Sequence, residues 1–342
     1  MTRAHGPGCV REYCALGGAL MRRYDARHGR SDSRNWSPNA RRRDGLPETA
    51  VSQCPRRCRR VTCSEPDGRH HGRVSVSSST LAELLPPDSG EWVPATGGES
   101  GASVVYDCVQ HRYAKVVASN LVAELAAERD RIVWLNETGI PGAALLDWRE
   151  SDAGACLVTR AVPGVPANRL DAPALQRVWP SVVATVQAVH ALATDRCPFD
   201  RGLEQMMPLA RASVAEGRVI VGFLPEALQH TPPAQILEQI EGELPDRLAQ
   251  ERTQLVVCHG DLCLPNILVD PSTDQVNALI DLGRLGTADP YADIALLLAT
   301  ARETWSDEET ARRADQDFAE KYGTELDPER QDFYLRLDPL TW

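Results

Sequence analysis

The sequence predicts an α+β fold of two lobes, a small N-terminal lobe built on an antiparallel sheet and a mainly helical C-terminal lobe, with a cleft between them. Two observations support this prediction. Short apolar segments separated by polar turns dominate residues 102–159, whereas longer segments with helical spacing dominate from residue 163 onward. The chain has 342 residues, 42% of them hydrophobic, and is therefore long enough for more than one lobe.

The first 73 residues differ in composition from the rest of the chain. They contain sixteen Arg and seven acidic residues, a net charge of +9, which leaves −20 for the remainder. They show no sustained periodicity, so we predict a disordered basic extension over residues 1–73. Nearly all basic residues of the chain are Arg, as expected from GC-rich DNA, in which an open reading frame easily extends upstream of the true start. A mis-assigned start is therefore an alternative, with translation beginning near Val74 or Val76. A nucleic-acid-binding tail is a further interpretation, but the segment has no aromatic pattern or motif for it.

The N-terminal lobe is predicted over residues 74–162. A short helix is expected at residues 81–85, and apolar residues at helical spacing predict a longer one at residues 121–136. Between these two helices lies a Gly-rich stretch that contains Gly98 and Ser100. The predicted strands are short apolar runs bounded by polar turns, at residues 102–106, 113–117, 144–148 and 155–159.

The C-terminal lobe is predicted over residues 163–342. Its clearest helices have sustained apolar spacing, at residues 178–192, 236–251 and 291–301. A short apolar strand is expected at residues 255–258. Two further runs, 267–269 and 276–280, flank a turn that contains Asp and Pro and therefore predict a hairpin.

Two segments around this hairpin carry the candidate chemistry. The sequence CHGDLCLPN ends at Asn266 and contains Asp261, and the sequence IDLGR begins at the last residue of the hairpin and contains Asp281. In phosphoryl transfer one carboxylate orients the attacking hydroxyl group, while a carboxylate and an amide oxygen hold Mg²⁺ against the phosphates. We therefore predict Asp261 as the catalytic base, with Asn266 and Asp281 as the metal ligands.

These two segments resemble the catalytic and metal-binding segments of the aminoglycoside phosphotransferase family, whose fold is similar to that of protein kinases. The resemblance covers about residues 90–342 and is greatest for streptomycin 3''-phosphotransferases. It implies a two-lobed kinase-like fold with ATP and Mg²⁺ as cofactors. In protein kinases an Arg stands where this chain has Gly260, which favours a small-molecule kinase that needs no activating phosphorylation over a protein kinase.

The resemblance also implies the nucleotide site. Lys115 would contact the α- and β-phosphates, with Glu128 as its partner and Glu124 as the alternative. Lys115 is one of only two Lys in a chain that otherwise uses Arg, and Arg does not replace a compact ammonium group. The remaining implied positions are Gly98 and Ser100 in a loop that covers the nucleotide, and Arg160 and Val162 in the hinge.

Further similarity to the family lies in Cys197-Pro198-Phe199 and in the last residues, 336–342. His190 is interpreted as a helix-packing residue rather than a catalyst, and Arg284 as an ion-pair partner of the catalytic loop. The resemblance implies streptomycin as the substrate, and streptomycin carries two guanidinium groups. Guanidinium groups pair bidentately with carboxylates, so the substrate pocket is expected to be acidic. The tentative substrate residues are carboxylates and the chain end in the C-terminal lobe: Asp289, Asp338 and Trp342, with Asp293 less favoured.

The predicted function is ATP-dependent phosphorylation of an aminoglycoside, most specifically of streptomycin at its 3''-hydroxyl group, which would confer antibiotic resistance. The alternatives are a kinase for another aminoglycoside or hydroxylated metabolite, and a non-catalytic nucleotide-binding regulator. An acidic body repels nucleic acid and anionic lipid, so neither is an expected partner. No run approaches the ~20 apolar residues of a membrane helix and no signal peptide is visible, so we expect a cytoplasmic protein, a monomer or weak dimer.

Overall fold

The computed structural model describes residues 76–88, 91–95 and 102–342. The predictions for residues 1–73, and for Gly98 and Ser100 in the Gly-rich stretch, lie outside these residues. Within the described chain, no helix combines the length and the apolar character needed to cross a membrane.

The N-terminal lobe is a five-stranded antiparallel sheet in the spatial order β1-β2-β3-β5-β4. The strands are β1 (Trp92–Pro94), β2 (Ser103–Asp107), β3 (Arg112–Ala118), β4 (Leu145–Ser151) and β5 (Gly154–Arg160). Two helices accompany the sheet, α1 (Ser78–Leu84) and α2 (Val122–Thr138). The four predicted strands are confirmed as β2 to β5, whereas the short β1 is not predicted by the sequence. Helix α1 begins before the predicted position because Ser77 accepts a hydrogen bond from the backbone N–H of Thr80.

Strand β3 shows how this sheet positions polar chemistry. Ala114 and Val116 are fully buried on one face, in a small core beneath α1. Lys115 lies between them and points to the opposite face, since successive side chains of a strand alternate. Helix α2 buries Leu125 and Leu135 in the main core of the molecule. The lysine is therefore held on a strand that is packed from both sides.

The C-terminal lobe contains six α-helices within the described chain: α3 (Ala172–His190), α4 (Leu203–Ala215), α5 (Pro233–Thr253), α6 (Tyr291–Arg302), α7 (Glu308–Tyr322) and α8 (Pro328–Leu337). Helix α3 begins six residues before the predicted position. The Asp171 side chain caps it by accepting a hydrogen bond from Ala174 N at 2.9 Å, and Pro173 suits the first turn. These helices enclose one continuous apolar core that extends to α2 and β5. The two-lobed α+β prediction is confirmed.

Two small sheets place the candidate catalytic segments. The predicted hairpin is confirmed as β8 (Ile267–Asp270) and β9 (Gln275–Leu279), with β6 (Val165–Pro166) paired on the other side of β8. The predicted strand at 255–258 is β7 (Val256–Cys258), which pairs antiparallel with β10 (Gly286–Ala288). The chain leaves β7 at the same end at which it enters β10. The segments that contain Asp261 and Asp281 therefore meet at one end of this pair.

Candidate active site

A cavity of about 370 Å³ lies between the N-terminal sheet and the C-terminal helices. This volume is within the usual range for a small-molecule site. Its lining includes all the catalytic, phosphate, metal and hinge residues predicted within the described chain: Lys115, Glu128, Arg160, Val162, Asp261, Asn266 and Asp281. The tertiary structure thus brings together residues that lie up to 166 positions apart in the sequence.

The loop after β7 presents Asp261 to the cavity. Gly260, the residue before it, has a φ angle of +80°, and a Cβ atom there would lie 2.1 Å from the carbonyl oxygen of Arg284. Glycine is therefore required at this turn. The Asp261 carboxylate accepts a hydrogen bond from Asn266 Nδ2 at 3.0 Å. Burial raises the pKa of Asp261 to about 8, against the lowering effect of the Arg284 charge, so this carboxylate binds a proton more tightly than an exposed aspartate does.

Asp293, in the first turn of α6, supports the backbone of this loop. Its two carboxylate oxygens accept hydrogen bonds from the backbone N–H groups of His259, at 2.7 Å, and Gly260, at 2.8 Å. His190 contacts the same carboxylate through Nε2 at 3.2 Å and the Tyr322 hydroxyl group through Nδ1 at 2.7 Å. His190 therefore packs and hydrogen-bonds beneath the loop, in agreement with its interpretation as a packing residue. Asp293 is enclosed here and does not line the cavity.

Lys115 lies between two carboxylates. Its Nζ is 2.7 Å from Glu128 Oε2 and 3.3 Å from Asp281 Oδ1, while Glu124, the alternative partner, is exposed. Burial by itself would lower the pKa of Lys115, but the two carboxylates outweigh burial and raise it. The lysine in turn lowers the pKa of Asp281. Lys115 is therefore positively charged, as contact with a phosphate requires.

Asn266 and Asp281 offer oxygen atoms that fit a divalent cation. The Nδ2 group of Asn266 donates to the Asp261 carboxylate and to the Asp261 carbonyl oxygen, the latter at 2.9 Å. This orientation leaves Asn266 Oδ1 buried, and no group in the described chain donates a hydrogen bond to it. The Asp281 side chain is 44% exposed and lines the same cavity. An amide oxygen without a donor and a carboxylate are ligands that Mg²⁺ prefers.

Arg284 joins this site to the last residues of the chain. Its Nη1 donates to Asp338 Oδ1 at 2.9 Å, and its guanidinium carbon lies 3.6 Å from the centroid of the Trp342 ring. Asp338 also accepts a hydrogen bond from Trp342 Nε1 at 3.1 Å. The sequence predicts Arg284 as an ion-pair partner of the catalytic loop, whereas the structure pairs it with Asp338 and places its backbone against Gly260. Asp338 and Trp342 line the cavity, where a substrate contact has to lie.

Asp289 is placed away from the cavity. Its side chain is fully buried, accepts a hydrogen bond from Tyr291 N at 2.8 Å, and pairs with Arg330 of α8. This carboxylate ties α6 to α8 and does not reach the substrate side of the lobe. The sequence makes Asp289 a tentative substrate residue, but the docking of α8 shows that an internal arginine pairs with it.

Tyr113 and Glu303 are among the cavity residues that the sequence analysis does not single out. Tyr113 precedes Lys115 by two positions on β3, so both face the cavity. Glu303 follows α6 directly and lies on the same helix face as Thr300, which also lines the cavity. The Glu303 carboxylate has no hydrogen-bond or ion-pair partner among residues 76–88, 91–95 and 102–342. No motif in the sequence distinguishes Glu303 from the other carboxylates of the acidic segment 303–332.

The chain is similar to known phosphotransferases over most of its length. The sequence pattern of the phosphotransferase enzyme family (APH) matches residues 94–333. Streptomycin 3''-kinase from Streptomyces griseus is 55% identical over 253 residues, which cover 74% of this chain and 93% of the relative. Aminoglycoside 3'-phosphotransferase from Streptomyces fradiae is 38% identical over 277 residues, covering 77% of this chain and 99% of the relative.

One solved structure is similar to this chain in both sequence and fold. Aminoglycoside phosphotransferase APH(3'')-Id from Streptomyces rimosus, in complex with ADP and streptomycin, is 49% identical to this chain with a TM-score of 0.74. The similarity covers 77% of this chain and 98% of that protein. The cavity described above is therefore that of a kinase-like transferase fold.

Proposed function

The chain belongs to the phosphotransferase enzyme family, and from this membership we propose that it transfers the γ-phosphate of ATP to the 3''-hydroxyl group of streptomycin. One observation carries the proposal. A single cavity contains a lysine paired with two carboxylates and, beside them, a buried carboxyl group hydrogen-bonded to an amide. These are the groups that phosphoryl transfer to a hydroxyl requires. The 55% identical relative is named for phosphorylating streptomycin at this position, which supports the choice of acceptor.

ATP is proposed to bind beneath the N-terminal sheet. Lys115 would contact its phosphates while Glu128 holds the lysine side chain in place. Tyr113 faces the cavity from the same strand and offers a ring for stacking against adenine, and the backbone of residues 160–162 lies at the edge where the base would hydrogen-bond. The Gly-rich stretch with Gly98 and Ser100 would cover the phosphates. The ADP in the related structure supports a nucleotide site.

Asn266 and Asp281 would hold Mg²⁺, which would neutralise charge on the phosphate oxygens. The assignment rests on the buried Oδ1 atom of Asn266, which has no donor within the described chain. The hydrogen bonds from Asn266 Nδ2 to Asp261 determine which end of the amide faces the cavity, because they use the nitrogen and leave the oxygen.

Asp261 is proposed to orient the attacking hydroxyl group and to accept its proton. The substrate oxygen forms a bond to the γ-phosphorus as the bond from that phosphorus to the ADP oxygen breaks, and the hydroxyl proton moves to the Asp261 carboxylate. Transfer is direct, and no covalent enzyme intermediate is required. A pKa of about 8 makes Asp261 a stronger base than an exposed aspartate.

The substrate is proposed to be cationic because the open side of the cavity carries carboxylates. Glu303 has no partner in the described chain and offers the least costly ion pair for a guanidinium group. Asp338 already binds Arg284 at 2.9 Å, so a substrate guanidinium group would share it, next to the Trp342 ring. Asp289 is disfavoured because Arg330 neutralises it internally. The net charge of −20 over residues 74–342 would also attract a polycation.

The proposed biological role is resistance to streptomycin, or self-protection in an organism that produces it. Phosphorylation adds a charge of about −1.5 to −2 near neutral pH, which weakens attraction to anionic ribosomal RNA. We propose that the reaction takes place in the cytoplasm, where ATP is available.

The test is transfer of labelled phosphate from γ-labelled ATP to streptomycin, kanamycin and gentamicin, with wild type and Asp261→Asn compared. We expect wild type to label streptomycin, with the position of the phosphate determined by NMR of the product. We expect Asp261→Asn to lose activity by several orders of magnitude while it still binds Mg–ADP. Absence of transfer to every acceptor by folded, nucleotide-binding wild type would contradict the proposal.

A second candidate is an aminoglycoside 3'-phosphotransferase. The 38% identity to the Streptomyces fradiae enzyme, over nearly that whole protein, favours this alternative over unrelated small-molecule kinases. Labelling of kanamycin without labelling of streptomycin would select it. The fold and the proposed roles of Lys115, Asp261 and Asp281 would be the same in both cases.

A further inference from the structure

One face of α2 contacts the C-terminal lobe directly below the Lys115–Glu128 pair. Arg131 lies one helical turn after Glu128, and its Nε donates to the carbonyl oxygen of Leu285 at 2.7 Å. Trp134 lies one turn further, and its Nε1 donates to the carbonyl oxygen of Arg196 at 3.0 Å. Residues three apart share a helix face, so the helix that carries Glu128 is attached to the other lobe at two successive turns.

Phe199 occupies the space between these two attachments. The Arg131 guanidinium carbon lies 4.8 Å from the centroid of the Phe199 ring, and the Trp134 ring meets Phe199 edge-on at a centroid distance of 6.1 Å. Phe199 is the last residue of the Cys197-Pro198-Phe199 motif. None of these three residues lines the cavity. The motif therefore supplies the C-terminal surface on which α2 rests.

The same cluster reaches the metal side of the cavity. Leu285 ends the short turn that begins after Asp281, and its backbone N–H donates to Leu282 O at 3.0 Å. The Phe199 carbonyl oxygen accepts hydrogen bonds from Thr287 N at 2.9 Å and from the Thr287 hydroxyl group at 3.3 Å. Arg131 and Phe199 are thus both hydrogen-bonded to residues 285–287. This segment begins four residues after Asp281.

We propose that Arg131, Trp134 and Phe199 form a clamp that positions the nucleotide site, by holding Glu128 on α2 and Asp281 in the C-terminal lobe at a constant separation. Lys115 bonds to both carboxylates, so its location depends on that separation. The three clamp residues are positioning residues and need not touch ATP. This inference rests on the proposed nucleotide-dependent reaction but adds to it, since it assigns a role to residues outside the cavity.

The chemistry of Arg131 supports this role. The Arg131 side chain is half-buried, and desolvation lowers the pKa of its guanidinium group. Removing this charge from water costs free energy, which the contacts of the guanidinium group have to offset. The guanidinium makes its backbone contacts on α2 itself, with Ala127 O at 2.9 Å, and on the opposite lobe, with Leu285 O. An ammonium group would lack the planar fork that serves both carbonyls and the ring.

Four variants of the full-length chain test the proposal. Arg131→Met removes the charge and both hydrogen bonds but keeps a flexible chain, and Phe199→Leu removes only the ring. Phe199→Tyr keeps the ring and is the rescue variant. Arg129→Met is the matched control, because Arg129 is on the same helix and lies 4.6 Å from the Trp148 ring, a contact that stays within the N-terminal lobe. The measurements are the Kd of Mg–ADP by calorimetry, kcat, the KM values for ATP and for streptomycin, and Tm.

We expect Arg131→Met to weaken Mg–ADP binding and to lower kcat/KM for ATP by about tenfold or more, as for the loss of a charge-assisted hydrogen bond. Phe199→Leu should change both in the same direction by about fivefold, as for the loss of the ring contacts with Arg131 and Trp134. The KM for streptomycin should change less than twofold, and Phe199→Tyr and Arg129→Met should resemble wild type. If Arg131→Met does not fold, Phe199→Leu decides alone. The clamp is refuted if Tm falls while Mg–ADP binding and kcat stay within twofold of wild type, or if Arg129→Met causes the same losses.

The nucleotide measurement separates this inference from the proposed function. If wild type phosphorylates none of the aminoglycosides, the proposed acceptor is wrong. The Kd of Mg–ADP still reports on the clamp in that case, because it needs no acceptor. Unchanged Mg–ADP binding in Arg131→Met and Phe199→Leu overturns the clamp whichever acceptor the enzyme uses.

Discussion

Gly260→Ala is the substitution for which the structure specifies the consequence most directly. Gly260 has a φ angle of +80° and lies between His259, whose backbone is held by Asp293, and the proposed base Asp261. A Cβ atom added there would lie 2.1 Å from the carbonyl oxygen of Arg284 and 2.8 Å from its carbonyl carbon. Both of these atoms belong to the backbone, so rotation of a side chain does not relieve the clash.

The expected magnitude has two parts. The left-handed conformation costs an alanine about 1–2 kcal/mol. An ordinary carbon–oxygen contact is about 3.3 Å, so the Gly260 loop or the Arg284 backbone has to shift by about 1 Å. A displacement of this size at a reacting group can cost about 100-fold in rate. We therefore expect kcat to fall by about 100-fold or more.

Gly139→Ala is the matched control. Gly139 has a φ angle of +84° at the end of α2, but a Cβ atom there would meet nothing within 4 Å. It should lose about 1–2 kcal/mol of unfolding free energy, as the conformational cost alone requires, and retain kcat. The assay is kcat with streptomycin and ATP together with unfolding in urea. Retention of kcat within threefold by Gly260→Ala, or an equal loss in Gly139→Ala, would refute the reasoning.

Three further outcomes are expected. Lys115→Arg should raise the KM for ATP by about tenfold or more, since the planar guanidinium group does not fit between Glu128 and Asp281 as a compact ammonium does; nucleotide binding at wild-type strength would exclude the phosphate role. Glu303→Gln should raise the KM for streptomycin about tenfold and leave the KM for ATP unchanged, and equal changes in both would contradict a substrate contact. Burial raises the pKa of Glu251 to about 7 from an ordinary value of 4.5, so the folded state binds more protons than the unfolded state and stability falls as pH rises between these values. Urea unfolding should therefore show Glu251→Gln gaining up to about 3 kcal/mol relative to wild type between pH 4.5 and 8, and a difference independent of pH would contradict this assignment.

The elements that the sequence predicted well depend on short-range patterns. The helix predicted at 121–136 is α2 (Val122–Thr138), and the predicted hairpin is β8 and β9, because apolar spacing and a polar turn are properties of adjacent residues. The short β1 and β10 strands were missed. Each has only three residues, too few for an alternating pattern to show, and β10 gains its hydrogen bonds from β7, which lies far earlier in the chain.

The sequence by itself determined the order and spacing of Asp261, Asn266 and Asp281, and therefore the class of chemistry. Asp261 and Asn266 are five positions apart, and a hairpin separates Asn266 from Asp281. Both separations can be read from the sequence without knowledge of the surrounding structure. The sequence also made Lys115 a candidate phosphate contact, since the chain keeps a lysine there although it uses arginine almost everywhere else.

Only the tertiary structure decided which charges are neutralised. It paired Lys115 with Glu128 rather than Glu124, paired Asp289 with Arg330 inside the C-terminal lobe, and left Glu303 at the cavity without a partner in the described chain. The physical reason is that the free energy of a charge depends on its burial and on the few ångströms to its nearest counter-charge. Those distances are established when separate helices and strands pack, and residue type alone does not contain them.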